Sequence, residues 1–186
     1  MHDVITIETA NSVSDLEQII DLQAKNHYLS INNDTKTEQG FVTVKHNLDL
    51  LTKMNNVAKQ VIAKHNNNVV GFALVMPKEF KSLIPILEPM FNELEKIQYN
   101  GKNLSTLNYY VMGQICVDIN YRGIGLVDKM YAKHKELLKK QFDLCVTEIA
   151  TSNLRSIKAH ERVGFKTVKQ YKDATHEWNI VIWDWS

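Results

Sequence analysis

The chain has 186 residues, with 22 Lys and Arg against 21 Asp and Glu and a formal net charge of +1. That balance excludes a nucleic-acid binder working by bulk electrostatics, which carries a basic excess or stripe. The length suits one domain with a sizeable core, so residues 1–186 are read as a single unit.

Residues 4–9 alternate, with Val4, Ile5 and Ile7 apolar, and predict a short strand. Ser14-Asp15-Leu16-Glu17 has the form of a capping box, and Leu16, Ile19, Ile20 and Ala24 follow at helical spacing. Residues 28–40 are rich in Asn, Asp and Thr and read as a loop closed by Gly40-Phe41. His46–Met54 predicts a second helix with Leu48 and Leu51 inward. Residues 57–65 and 69–76 are β-rich. Asn66-Asn67-Asn68 between them predicts a hairpin turn, because Asn tolerates left-handed backbone. Residues 81–98 carry Leu83, Ile84, Leu87, Met90, Phe91, Leu94 and Ile97 at helical spacing, with Pro85 and Pro89 starting or bending that helix.

Tyr109–Asp118 predicts a strand, Gly125–Lys140 an amphipathic helix, Leu144–Thr151 a strand and Asn153–Val163 a helix ended by Gly164. Two closing strands lie near 165–171 and 177–185. This order predicts an α/β or α+β sandwich. The alternating Trp183 and Trp185 predict a terminal strand that covers a sheet edge or pairs with a second subunit. Cys116 and Cys145 sit in apolar runs and read as small core residues, too few for a disulfide framework. No charged n-region with an apolar stretch opens the chain, and no run approaches the ~18 apolar residues of a membrane helix. The expectation is a soluble, cytoplasmic protein with no membrane, nucleic-acid or metal partner.

The most informative stretch runs from Gly113 to Val127. A strand ends near Asp118, and Arg122-Gly123-Ile124-Gly125 leads at once into a helix. Glycine lets backbone approach a ligand without Cβ obstruction. Free N–H groups at a helix start form an anion site, and Arg122 adds a guanidinium. The arrangement suits a pyrophosphate or is a plain tight turn. A Rossmann site lacks its third glycine here, and a P-loop lacks its Gly-Lys-Ser/Thr.

This segment resembles the coenzyme A signature of the GNAT (GCN5-related N-acetyltransferase) superfamily, Arg/Gln-x-x-Gly-x-Gly/Ala. Arg122, Gly125 and Val127 fall on its defined positions, Val127 departing from the usual Gly or Ala. A second resemblance lies in Thr147–Phe165, where a strand, Asn153, Ser156, Ala159 and Gly164-Phe165 follow the family's order. The resemblance implies a mixed, mostly antiparallel central sheet, flanked by helices and splayed at the cofactor site, and acetyl-CoA as cofactor. It places Ile115, Cys116 and Val117 against the pantetheine arm. Arg122, Gly123, Ile124, Gly125, Leu126 and Val127 fall at the pyrophosphate, and Asn153 and Ser156 also at the cofactor.

Asn153 is equally a plain helix cap. Glu148 stands where some members carry the general base, and its apolar neighbours Val146 and Ile149 favour a raised pKa; a solvated or salt-bridged strand Glu is the other reading. His160 stands where many members carry a Tyr that protonates the leaving thiolate, a task imidazole can also perform. Cys116 as a nucleophile needs an adjacent base, and none is evident from spacing. For the amine acceptor the resemblance nominates Tyr28, Glu38, Phe41 and Tyr110, with Tyr109 and Trp178 nearby; an acid with aromatics suits a cationic amine. The expected activity is acetyl transfer to a primary amine by a monomer or homodimer. A silent acyl-CoA-binding module with the same fold is the alternative.

Overall fold

The computed structural model describes residues 4–27, 42, 44–174 and 176–186. The apolar alternation of the first segment forms β1 (Ile5–Thr9), which leads into α1 (Val13–Asn26). The capping box sits two residues earlier than expected. Ser12 Oγ accepts the Asp15 N–H, and the Asp15 carboxylate takes the Ser12 N–H in return. Asp15 wins this place because its carboxylate also pairs with Lys64 at 2.7 Å. Leu16, Ile19 and Leu22 form the buried stripe, while Ala24 is exposed.

The second helix, α2 (Leu48–Val57), starts after an Asn47 cap, and Val57 ends it where a strand was expected. It is followed by β2 (Val61–His65) and β3 (Asn68–Pro77). Asn66 and Asn67 turn the hairpin with φ of 48° and 66°. The expected helix over 81–98 is instead two 3-10 turns, 78–83 and 85–87, and a short α3 (Glu88–Leu94). Proline supplies no N–H and pushes the residue before it out of helical geometry; Ile84, ahead of Pro85, has φ −131° and ψ 76°. A small ladder of β4 (Gln98–Tyr99) and β5 (Lys102–Asn103) comes next, which the pattern did not reveal.

Then come β6 (Tyr109–Val117), α4 (Leu126–Leu138), β7 (Leu144–Ala150), α5 (Leu154–Val163), β8 (Lys166–Lys172) and β9 (Glu177–Asp184), close to the predicted ranges. Among the described residues seven strands form one sheet, ordered β1-β2-β3-β6-β7-β9-β8. Only β6 and β7 run parallel. From Val69 onward β3 is buried without interruption, as a strand covered on both faces must be. One face packs Phe72, Leu74, Met76 and Val111 under α1, α2 and the 80–97 segment. The other packs Ala73, Val75, Tyr110 and Met112 under α4. Trp183 and Trp185 do not cover an edge, because β9 lies inside the sheet. They join the α4-side core, Trp183 against Tyr131 and Phe165 and Trp185 against Tyr110. No helix among the described residues is long and apolar enough to cross a membrane.

Two irregularities in β6 open the sheet near its centre. Its register with β3 shifts between Leu74↔Gln114 and Val75↔Met112, so Gly113 is the extra residue of a bulge. Its register with β7 ends at Val111↔Val146, after three pairs. Beyond that point the strands part, and the Met112 carbonyl accepts the Thr147 hydroxyl at 2.9 Å.

Gln60 is fully buried just before β2, and its side chain continues the β2–β3 pairing past its last pair, Val61↔Ala73. Its Oε1 accepts the Val75 N–H at 2.7 Å, and its Nε2 donates to the Val75 and Ala58 carbonyls. Gln60→Leu leaves those strand groups buried without partners, and urea unfolding should show a loss of about 2–4 kcal/mol.

Burial also holds His46 and His134 neutral, each pushed down to about 4 from 6.5. His134 Nε2 donates to the Ala73 carbonyl and its Nδ1 accepts from Tyr110. The unfolded chain takes up protons on these rings near pH 6.5 and the folded chain does not, so their contribution is present above 6.5 and is lost as pH falls toward 4. Urea midpoints should drop steeply between about pH 7 and 4.5, and His134→Gln should flatten that slope.

Candidate active site

The end of β6 turns through a short 3-10 segment, Ile119–Tyr121, where Asp118 Oδ1 accepts the Asn120 N–H. Arg122 then reaches back. Its Nε donates to the Val117 carbonyl at 2.9 Å and its Nη2 to Asn26 Oδ1 at 2.7 Å, tying the turn to the last residue of α1. Gly123 and Gly125 have φ of 83° and 79°. A Cβ at either would meet nothing within 4 Å, so the left-handed backbone, rather than space within the protein, requires glycine. Gly125 caps α4 with no side-chain hydrogen bond. The first N–H groups of α4 therefore point outward, which is the condition for an anion site.

These N–H groups open onto a cleft of about 490 Å³ between β6, α4 and α5. Ile115, Cys116 and Val117 line it from the strand that has parted from β7. Arg122, Gly123, Gly125, Leu126 and Val127 line its mouth, and Asn153, Ser156 and His160 the α5 wall. Ile124 is the exception: its side chain is half exposed and lies outside the lining. Asn153 caps α5, with its Oδ1 accepting the Ser156 N–H at 3.3 Å, and it is buried at the cleft.

Sequence reasoning missed Arg155, Lys158 and Arg162, which lie along the same cleft. Their i, i+3, i+7 spacing on α5 was a readable signal. Arg162 Nε reaches both oxygens of Asp128 at 3.0 and 3.1 Å, which neutralises the carboxylate in the first turn of α4.

A smaller chamber of about 80 Å³ adjoins the cleft, and the two share Val42, Ile115, Asn153, Ser156 and His160. Glu148 faces it from β7. Burial pushes the Glu148 carboxyl up to about 7. The Tyr171 hydroxyl, donating to Oε2 at 2.5 Å, opposes that shift and Asp173 adds to it. Burial and Glu148 push Tyr171 far up, so it stays a donor. Opposite, the wall at Val44 is held by an amide relay. Gln114 Nε2 donates to the Val44 carbonyl, Gln23 Nε2 to Gln114 Oε1 and to His46 Nδ1, and Gln23 Oε1 accepts the His46 N–H.

The structure departs from two expectations, for His160 and for Tyr110. His160 lies at the junction of cleft and chamber, but it is not placed as an imidazolium acid. Its Nδ1 donates to the Ser156 carbonyl at 2.7 Å, its Nε2 accepts from Tyr131 at 2.6 Å, and burial pushes it down to about 4. Cys116 is buried, in keeping with its reading as a small core residue, and burial pushes its thiol up to about 12, which disfavours the thiolate a nucleophile requires. Tyr110 faces α4 and lines neither cavity; strand alternation turns it away from the α1 side, and its hydroxyl bonds His134. Trp178 does line the chamber, whereas Tyr109 is core beneath Lys78. Tyr28, Glu38 and Phe41 fall outside the described residues.

The sequence model of the Acetyltransferase (GNAT) family matches residues 17–165, which include both strand–helix signatures. No curated protein sequence matches significantly. Among solved structures, the chain is similar to the NatC complex bound to Gag peptide and CoA (TM-score 0.67, 13% identity, 97% of this chain and 98% of that one). It is similar to a structure from Salmonella typhimurium, yncA, solved with its cofactor acetyl-CoA (TM-score 0.62, 14% identity, 98% and 94%). It is also similar to an N-acetyltransferase from Staphylococcus aureus (TM-score 0.61, 20% identity, 98% and 99%). At these identities the similarity establishes the shared fold, and the family match rests on the sequence. This chain belongs to the GNAT acetyltransferase family.

Proposed function

We propose that the chain transfers an acetyl group from acetyl-CoA to a primary amine by direct attack. The observation that carries this is Glu148, a partly buried carboxylate in a chamber that opens onto the cleft, with its pKa pushed up to about 7 by loss of water.

The residues present fit the cofactor. The free N–H groups at the start of α4 suit a pyrophosphate, and Arg155 and Lys158 bring cations to the same cleft. The parted edge of β6 offers backbone groups to the amides of a pantetheine arm. Acetyl-CoA supplies the activated thioester when bound. Tyr171 holds Glu148 through Oε2 and leaves Oε1 to accept the proton of the incoming amine. A backbone N–H of the Gln114–Val117 stretch acts as the oxyanion donor. Neutral His160 fixes the α5 wall through Ser156 and acts as a positioning group.

Acetyl-CoA at about 100 times its Kd should raise the Tm by roughly 5–10 °C, with no shift from ATP. Absence of a shift at millimolar acetyl-CoA overturns the cofactor assignment.

Glu148→Gln should lower the rate at pH 7 by about 10²-fold or more and erase the acid limb of the pH–rate profile near 7, with acetyl-CoA affinity retained. An unchanged profile removes the base role. The same variant has a signature in stability. Folding raises the Glu148 pKa from 4.5 to about 7, so the folded state binds this proton more tightly, and ionisation costs stability as pH rises from 4.5 to 7. Glu148→Gln should therefore unfold at higher urea than the parent at about pH 8, with the gap closing by about pH 4.

A further inference from the structure

We infer that the tip of the β8–β9 hairpin is a positioning unit for the base, in which Tyr171 and Asp173 act on Glu148 with opposite sign and together fix the pH at which it takes a proton. This rests on the reading of Glu148 as the base and adds what controls it.

Strand register puts the partners on one face of the sheet. Glu148 of β7 pairs with Ile180 of β9, and Tyr171 of β8 pairs with Trp178, two residues along on the same face of β9. Tyr171 therefore stands two strands away from Glu148, which is about 10 Å of backbone spacing. Its hydroxyl nevertheless donates to Glu148 Oε2 at 2.5 Å, across β9, where Ile180 is fully buried. A long aromatic side chain on a diagonal can make that reach.

Beyond Tyr171 the strand ends in a closed turn. The Asp173 N–H donates to the His176 carbonyl, and Asp173 Oδ1 accepts the His176 N–H in return. Asp173 Oδ2 accepts Trp178 Nε1 at 2.9 Å, which fixes the indole that lines the chamber with Glu148. One hairpin tip thus holds a donor on Glu148, a second carboxylate and a wall of the chamber.

The two polar groups oppose each other. A hydrogen bond to the ionised carboxylate favours ionisation, and a nearby like charge disfavours it. Burial pushes Glu148 up to about 7, and within that balance Tyr171 pulls it down and Asp173 pushes it up. Among the described residues, the other titratable groups around the pair are engaged or neutral. Glu93 of α3, a further negative charge acting on Tyr171, is paired with Lys169 of β8 at 2.5 Å and with Lys96 at 2.7 Å. His160 of α5, which also lines the chamber, and His46, two residues past Val44, are held neutral by burial.

The test is a pH titration of the Glu148 carboxyl by NMR on protein isotopically labelled at the glutamate carboxyls, with the signal identified by its loss in Glu148→Gln. pH–rate profiles with acetyl-CoA and an amine panel are measured alongside. The parent should titrate near 7. Tyr171→Phe keeps the ring and removes the donor, so the midpoint and the acid limb should both rise by about one pH unit or more. The rate should recover at higher pH, with acetyl-CoA affinity retained. Asp173→Asn should lower the midpoint and the limb by roughly half a pH unit. A hairpin that only braces the fold would move both variants in one direction or move neither. A Tyr171→Phe midpoint within about 0.3 pH units of the parent, or shifts of one sign in the two variants, therefore overturns the inference. If Glu148→Gln leaves the pH–rate profile unchanged, the base reading falls, and the NMR midpoints still decide whether the hairpin controls this carboxyl. If Tyr171→Phe does not fold, Asp173→Asn decides alone: a lowered midpoint supports the inference, and an unmoved or raised one overturns it.

Discussion

The structure turns on the point where β6 and β7 stop pairing. Three parallel pairs hold the strands together as far as Val111 and Val146, and then β6 swings away through the Gly113 bulge. A parted strand pair exposes backbone groups inside a protein, and such groups need partners. The Thr147 hydroxyl supplies one for Met112. The remaining β6 edge lines the cleft, with the glycine turn and the start of α4 immediately beyond it. Had the strands stayed paired to their ends, β6 would have no free edge beside α5.

The two faces of the sheet are built differently around that gap. On the α4 face an aromatic set of Tyr110, Tyr131, His160, Phe165, Trp183 and Trp185 packs ring to ring and ties α4 and α5 to the sheet. On the α1 face the amide relay of Gln23 and Gln114 holds the segment at Val44 against β6. Both sets are anchored in the core, so the wall of the chamber and the wall of the cleft are each held from behind.

Burial acts on the titratable groups with opposite sign and one cause. Removing water disfavours whichever form is charged. It lifts the Glu148 carboxyl toward neutrality and lowers the imidazoles of His46, His134 and His160. A carboxylate near 7 suits proton uptake at neutral pH, while a histidine near 4 is a fixed dipole with one donor and one acceptor. That difference is why the folded environment, more than residue type, separates Glu148 from His160.

Turns, caps and helix starts are legible in the sequence because they are set by neighbours along the chain. Arg122-Gly-Ile-Gly, the Asn66-Asn67 hairpin and the Asn153 cap need only local backbone rules, and the two signatures identify the family. Strand alternation determines that Tyr109 and Tyr110 face opposite sides. It carries no information on which side holds the cavity, so the acceptor role expected of Tyr110 falls on the wrong layer. The 81–98 pattern reads as one helix because spacing does not register how two prolines divide it. The capping box moves to Ser12 because Lys64, far along the chain from Asp15, engages that carboxylate. The desolvation of Glu148, the Tyr171 hydroxyl against it and the chamber beside it depend on residues from β6, β7, β8, β9 and the 85–94 segment meeting in space. Tertiary structure alone decided these, because burial and charge separation depend on three-dimensional distance, and sequence order does not encode it.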